Sequence, residues 1–193
     1  MHRRSYWLAI IVSLTLIVAS FAATAQLSVV WGEDRDDLAT LDPRITQSRH
    51  ELQVIRQVFD SLITIDDAGN PVAWLADSWE IAEDFTSITF HLKDGVMFHD
   101  GTPCNAEAFK FTYDSIADPA TGSQAAIDYL GPYKQTVVHD ELTFTVEYTR
   151  PYGAMISGFV LTYLAPVSPT AVQENGDAWF AENPVGTGPF KFV

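Results

Sequence analysis

Residues 76–116 read ADSWEIAEDFTSITFHLKDGVMFHDGTPCNAEAFKFTYDSI, and this pattern predicts strand, turn, strand, a Gly-rich approach and then a helix. Trp79 and Ile81 alternate with polar neighbours. Ile88, Phe90 and Leu92 alternate with Ser87, Thr89 and His91, the period of a half-buried strand. Glu83-Asp84 stands at the turn between the two. Lys93-Asp94-Gly95 and His99-Asp100-Gly101 are turn chemistry, because Gly adopts positive φ freely and Asp tolerates it. Asn105 is then placed to cap a helix that carries Ala106, Phe109, Tyr113 and Ile116 on one face.

Upstream, Leu27–Trp31 (LSVVW) predicts a short buried strand, followed by an acidic loop over 32–40. Leu41-Asp42-Pro43 marks a corner, since Pro fixes its own φ and pushes Asp42 away from helix. Residues 49–60 predict a helix capped by Ser48, with Leu52, Ile55, Val58 and Phe59 on one face. Ser61–Ile65 alternates as a strand closed by a turn over Asp66–Asn70. Downstream, 118–133 is rich in small and turn residues and reads as a loop. Thr136–Val138 and Leu142–Tyr148 form a hairpin pattern around His139-Asp140-Glu141. Ala154–Phe159 suits a short helix, Ser168-Pro169 is a cap with its first helical residue, and Trp179-Phe180 reads as a packing anchor. Asn183–Phe190 (NPVGTGPF) leads into a last stretch with the pattern of a strand.

The first 25 residues stand apart. His2, Arg3 and Arg4 precede an apolar run, Tyr6–Ala22, broken only by Ser13, Thr15 and Ser20. Ala23-Thr24-Ala25 then supplies small residues for cleavage, so a cleavable signal peptide over 1–25 is expected, with a mature start at Gln26. The competing reading is an uncleaved anchor, because the run is near the roughly 17 residues that can span a bilayer. No Cys follows the run, so no lipid anchor is expected. The whole chain has 193 residues and a formal charge of −14. Residues 1–25 hold two Arg and no Asp or Glu, so their removal gives −14 − 2 = −16. Such an acidic surface argues against nucleic acid, whose phosphates need Lys and Arg. The lone Cys104 cannot form an internal disulfide. Its position between Pro103 and the helix cap predicts a small buried apolar residue rather than a reactive thiol.

Little in the chain predicts catalysis. Gly-x-Ser-x-Gly, His-Glu-x-x-His and Gly-Lys-Ser signatures are absent from the sequence. The acidic pairs Asp36-Asp37, Asp66-Asp67 and Glu83-Asp84 could serve as acid and base, but turn chemistry accounts for them. His50, His91, His99 and His139 show no ligand spacing, which leaves structural or solvated roles. No catalytic residue, metal ligand or cofactor is expected.

The order Trp-Glu, then Thr-Phe-His-Leu-Lys-Asp-Gly-Val-x-Phe-His-Asp-Gly-Thr-Pro-x-x-Ala-Glu-x-Phe, resembles the extracytoplasmic solute-binding proteins of family 5, which serve peptide and nickel ABC importers. Leu41-Asp42-Pro43, the Leu-Ala-x-Ser-Trp of 75–79 and Gly186-Thr187-Gly188-Pro189-Phe190 are similar to the family at three further places. The resemblance implies an α/β fold of the type II periplasmic binding protein kind, with two lobes and an inserted α+β domain. Mapped on this chain, 26–62 begins lobe one, 63–183 is the inserted domain and 184–193 returns to lobe one, with the second lobe beyond Val193. It implies capture of a peptide-like solute in the periplasm, delivery to an ABC permease, and a monomer. The ligand-facing positions that it implies are Gln47, after the Leu-Asp-Pro corner, and Tyr129 and Tyr163, on the inserted domain's cleft side. A core or surface role remains the alternative for each tyrosine. A secreted hydrolase, or a relic or interaction module that no longer binds solute, are the alternative functions.

Overall fold

The computed structural model describes residues 38–193. The expected signal segment, the strand over Leu27–Trp31 and the pair Asp36-Asp37 lie outside the described residues. The elements in chain order are α1 (Arg49–Val58), β1 (Ile63–Ile65), β2 (Pro71–Ala73), β3 (Ala76–Ile81), β4 (Ser87–Leu92), α2 (Ala106–Ala117), α3 (Ala125–Leu130), β5 (Tyr133–Val138), β6 (Thr143–Tyr148), α4 (Met155–Phe159), α5 (Pro169–Asn175) and α6 (Asp177–Phe180). Two 3₁₀ turns, Pro119–Thr121 and Thr162–Leu164, link them. None of the described helices is long and apolar enough to cross a membrane.

The stretch 76–116 folds as its alternation requires. β3, β4, β6 and β5 form an antiparallel sheet in that order. Trp79 pairs with Phe90 and Ile81 with Ile88, while Phe90 pairs with Phe144 and Ile88 with Val146. In β4 and β6 every second residue is fully covered, because α2 lies across that face. The Phe109 ring stacks on Phe144 at 5.1 Å, and Phe90 meets Phe144 at 5.4 Å and Phe159 at 4.8 Å. β3 is an edge strand that the helices reach poorly, so Ile81 stays 39% exposed although it points the expected way. The Asn105 side chain accepts from Ala108 N–H as the cap of α2, a contact typically worth about 1 kcal/mol. Cys104 is buried, and burial, with a smaller contribution from Asp60, pushes its thiol up, away from the reactive thiolate.

The acidic pairs act in turns. Asp66 Oδ1 accepts from Ala68 and Asn70 N–H, and Asp84 Oδ1 accepts from Thr86 N–H. Two expectations need correction. The segment 118–133 is not simply loop: Asp118 caps the first 3₁₀ turn, and Ala125–Leu130 forms α3 with Ala126 and Leu130 buried. Its six residues are too few for periodicity to reveal. The stretch after Gly186 forms no strand among the described residues. It lies instead along the end of α1, with Gly188 N–H donating to Val58 O (2.8 Å) and Phe190 N–H to Gln57 O (3.0 Å). The last carbonyls of a helix have no intrahelical partner, so they are free to accept these bonds.

Buried apolar residues fall in two clusters. One fills the space between the sheet and α2, α3 and α4 and runs to Leu164. The other joins Leu41, Ile55, Val58 and Phe59 to Ala165, Val167, Ala171, Val172 and Phe180. The chain passes from one to the other between Leu164 and Ala165. Thr112 of α2 connects them: its hydroxyl donates to Ala108 O (2.8 Å) and accepts from Val167 N–H (3.1 Å).

Candidate ligand-binding groove

The Leu-Asp-Pro corner is held by a buried ion cluster. Arg44 is 1% exposed and Asp42 0%. Arg44 Nη2 donates to Asp42 Oδ2 and to Asp177 Oδ1, each at 2.7 Å, and Nη1 donates to Ser115 Oγ at 3.3 Å. The guanidinium also lies 5.5 Å above the Phe180 ring. Burial works against its charge, but Asp42 and Asp177 outweigh that, so its pKa is raised. Three separate segments, the corner, α2 and α6, are thereby fixed to one side chain. The following residues are tied by Glu51: its Oε1 accepts Ala39 N–H at 2.9 Å and its Oε2 accepts the Thr46 hydroxyl. Ser48 caps α1 by accepting His50 N–H.

This framework presents Gln47, exposed, just before α1. One face of α1 then borders a groove of about 360 Å³. Arg49, Gln53 and Arg56 line it from the helix, Tyr129 lines it from α3, and Tyr163 and the preceding Leu161 line it from the second 3₁₀ turn and its cap. The Tyr129 and Tyr163 rings stack at 5.0 Å with an interplanar angle of 22°. Tyr163 is 8% exposed and Tyr129 41%, so one ring is the base and the other the rim. The approach depends on Gly158 in α4, where a Cβ would stand 2.4 Å from Tyr129 O and 3.1 Å from Leu164 Cδ1. No larger residue lets α3 come so close. Burial raises the Tyr163 pKa and Tyr129 adds to it, while Arg49 and Arg56 pull it down.

The structure therefore brings Tyr129 and Tyr163 together, and it places Gln47 near the same helix end but outside the groove's lining. Sequence reasoning missed Arg49 and Arg56. Their spacing of seven residues, two helical turns, puts them on one face and was the available signal. It also missed the Arg44 cluster, since a basic residue beside a Pro corner gives no hint of burial. His99 has a structural part: its ring Nε2 bonds Gly188 O at 2.7 Å, and its backbone N–H donates to Gly186 O at 2.9 Å. Among the described residues, no group of three or more His, Cys, Asp or Glu is placed to hold a metal ion.

The Gly-Thr-Gly segment explains itself in the same terms. A Cβ at Gly186 would stand 2.1 Å from Val58 O, and one at Gly188 2.7 Å from Val58 C. Only residues without a side chain fit against the end of α1. Residues 70–193 match the family model described as bacterial extracellular solute-binding proteins, family 5 Middle. This chain belongs to that family. It is 32% identical over 171 residues to the periplasmic oligopeptide-binding protein OppA of Haemophilus influenzae, covering 80% of this chain and 32% of that protein. It is 30% identical to the glutathione-binding protein GsiB of Shigella flexneri, covering 92% of this chain and 34% of that one. The crystal structure of NikZ from Campylobacter jejuni in complex with Ni(L-His) superposes with a TM-score of 0.72 at 26% identity, over 82% of this chain and 31% of that chain. The mixed α/β fold is thus that of periplasmic binding proteins. The chain spans about a third of the length of these relatives.

Proposed function

We propose that this chain supplies one wall of the ligand cleft of a periplasmic receptor, which captures a peptide-like solute and delivers it to an ABC permease. The observation that carries this reading is the groove beside α1, where a stacked tyrosine pair faces an exposed, polar helix surface. Its size and mixed lining suit a small organic ligand, and rings of this kind give a broad apolar wall that tolerates varied side chains. Tyr129 and Tyr163, which line the groove, and Gln47, outside that lining just before α1, are the residues assigned to ligand contact. Gln47 carries no charge, so it would orient a polar group rather than form an ion pair. Residues 63–183 are assigned to the inserted domain, with 26–62 and 184–193 to lobe one. Residues 1–25 are assigned to a leader removed on export, which leaves a monomer with no lipid anchor. The relatives named above are binding proteins, which supports binding rather than turnover. A closing movement around the ligand would be the signal read by the permease.

The test is calorimetric titration of the intact protein with trialanine and with a pentapeptide, with the recovered peptide assayed for cleavage. Stoichiometric binding with intact peptide is expected. Gln47→Ala and Tyr129→Ala should each weaken it, and unchanged affinity in both would remove the site assignment. Peptide hydrolysis by the purified protein would instead make it a hydrolase.

A further inference from the structure

Arg49 and Arg56 are both exposed, both border the groove, and neither forms an ion pair with any described residue. They lie two turns apart, about 10 Å along the axis, on either side of Gln53. The acidic residue nearest on the same helix, Glu51, is buried, and both its carboxylate oxygens are engaged elsewhere, by Ala39 N–H and by Thr46. The Tyr129 and Tyr163 hydroxyls make no hydrogen bond with the described residues either, so both can donate to a ligand in the groove. Arg49 and Arg56 are the charged residues among those lining the groove, so its lining is positive within a chain of formal charge −14. Such a site draws anions in and gains most from one that it can bind with two parallel hydrogen bonds. Guanidinium and carboxylate have that matching geometry, and an ammonium in place of Arg does not.

We propose that the groove selects ligands bearing a carboxylate, which Arg49 and Arg56 hold against the stacked rings of Tyr129 and Tyr163. This rests on the binding reading above and adds the ligand's charge class to it. The carboxylate can be the terminus of a peptide or an acidic side chain, and the two sources are separable.

The experiment titrates the intact protein with three probes: trialanine as the free acid, trialanine amide, and Ala-Glu-Ala amide. At least about a tenfold preference for a carboxylate-bearing probe over trialanine amide is expected, the scale of a charge-assisted pair. In the Arg49→Gln, Arg56→Gln double variant that preference should vanish, and in Arg49→Lys, Arg56→Lys it should return only in part. Preference for the free acid assigns the site to a peptide terminus, and preference for Ala-Glu-Ala amide assigns it to an acidic side chain. Equal binding of all three probes, or a preference untouched in the double variant, overturns the inference and leaves the binding reading in place. Absence of binding by any probe overturns both. Far-ultraviolet circular dichroism of each variant separates loss of fold from loss of selection.

Discussion

Arg44 and Arg49 are five residues apart, and the fold puts them to opposite uses. Arg44 is enclosed: Asp42 and Asp177 neutralise it, Ser115 takes a third contact and Phe180 covers its face. Arg49, with Arg56, stands open beside the groove and has no internal counter-ion among the described residues. The residue type is the same, so the difference lies in what the backbone delivers. The Pro43 corner turns Asp42 back onto Arg44, and Arg44 N–H itself donates to Asp42 Oδ1 at 2.9 Å. At Arg49 the helix has begun, and Glu51 has been drawn away to Thr46 and Ala39. A cation whose counter-ion the fold supplies is part of the framework, and one left unpaired in a cavity is available to a ligand.

The largest expected effect tests the enclosed side. Arg44→Met leaves Asp42 buried with an uncompensated charge and should cost about 3–5 kcal/mol in urea unfolding. The double variant Asp42→Asn, Arg44→Met should recover much of that. A cost below about 1 kcal/mol for the single variant would mean that the cluster is not holding the corner. Next is Gly186→Ala, which drives a Cβ into Val58 O and should cost about 1–3 kcal/mol by forced displacement. Gly158→Ala should cost a similar amount and, unlike Gly186→Ala, should also weaken ligand binding, because it pushes Tyr129 off Tyr163. Equal effects of both glycine variants on affinity would break the distinction between framework and groove. On the open side, Arg49→Gln with Arg56→Gln should leave stability within about 0.5 kcal/mol while it changes affinity for carboxylate probes.

How legible each side was in the sequence follows from the range of the contacts. The sheet and α2 could be read because period-two alternation in 87–92 and 143–148 and the Asn105 cap are local signals. The same holds for Ser48 and Ser168, each of which caps the helix expected of it. α3 was hidden because a six-residue helix with two buried residues shows no period. The final stretch looked like a strand, since apolar alternation cannot say what lies alongside, and the end of α1 proved to be its neighbour. Tyr129 and Tyr163 came from the family resemblance, whereas their stacking depends on Gly158, 29 residues from one and 5 from the other. The Arg44 cluster needs Asp177, 133 residues away in sequence, which no local pattern encodes.

The smallest expected effect is electrostatic, and it reads the open side directly. Burial and the neighbouring Tyr129 hold the Tyr163 pKa above its ordinary value, while Arg49 and Arg56 oppose them. A raised folded pKa favours the neutral phenol. The associated stability is therefore fully present below about pH 10, the ordinary tyrosine value, and is lost as pH rises through the folded value. Removing the two arginines removes the opposition, so Arg49→Gln with Arg56→Gln should move the Tyr163 ionisation higher still. Tyrosinate absorbance, taken as a difference against Tyr163→Phe in each background, measures it. A downward shift, or none, would mean that the arginine charges do not face the tyrosine pair, and the groove would lose the feature that sets it apart from the cluster around Arg44.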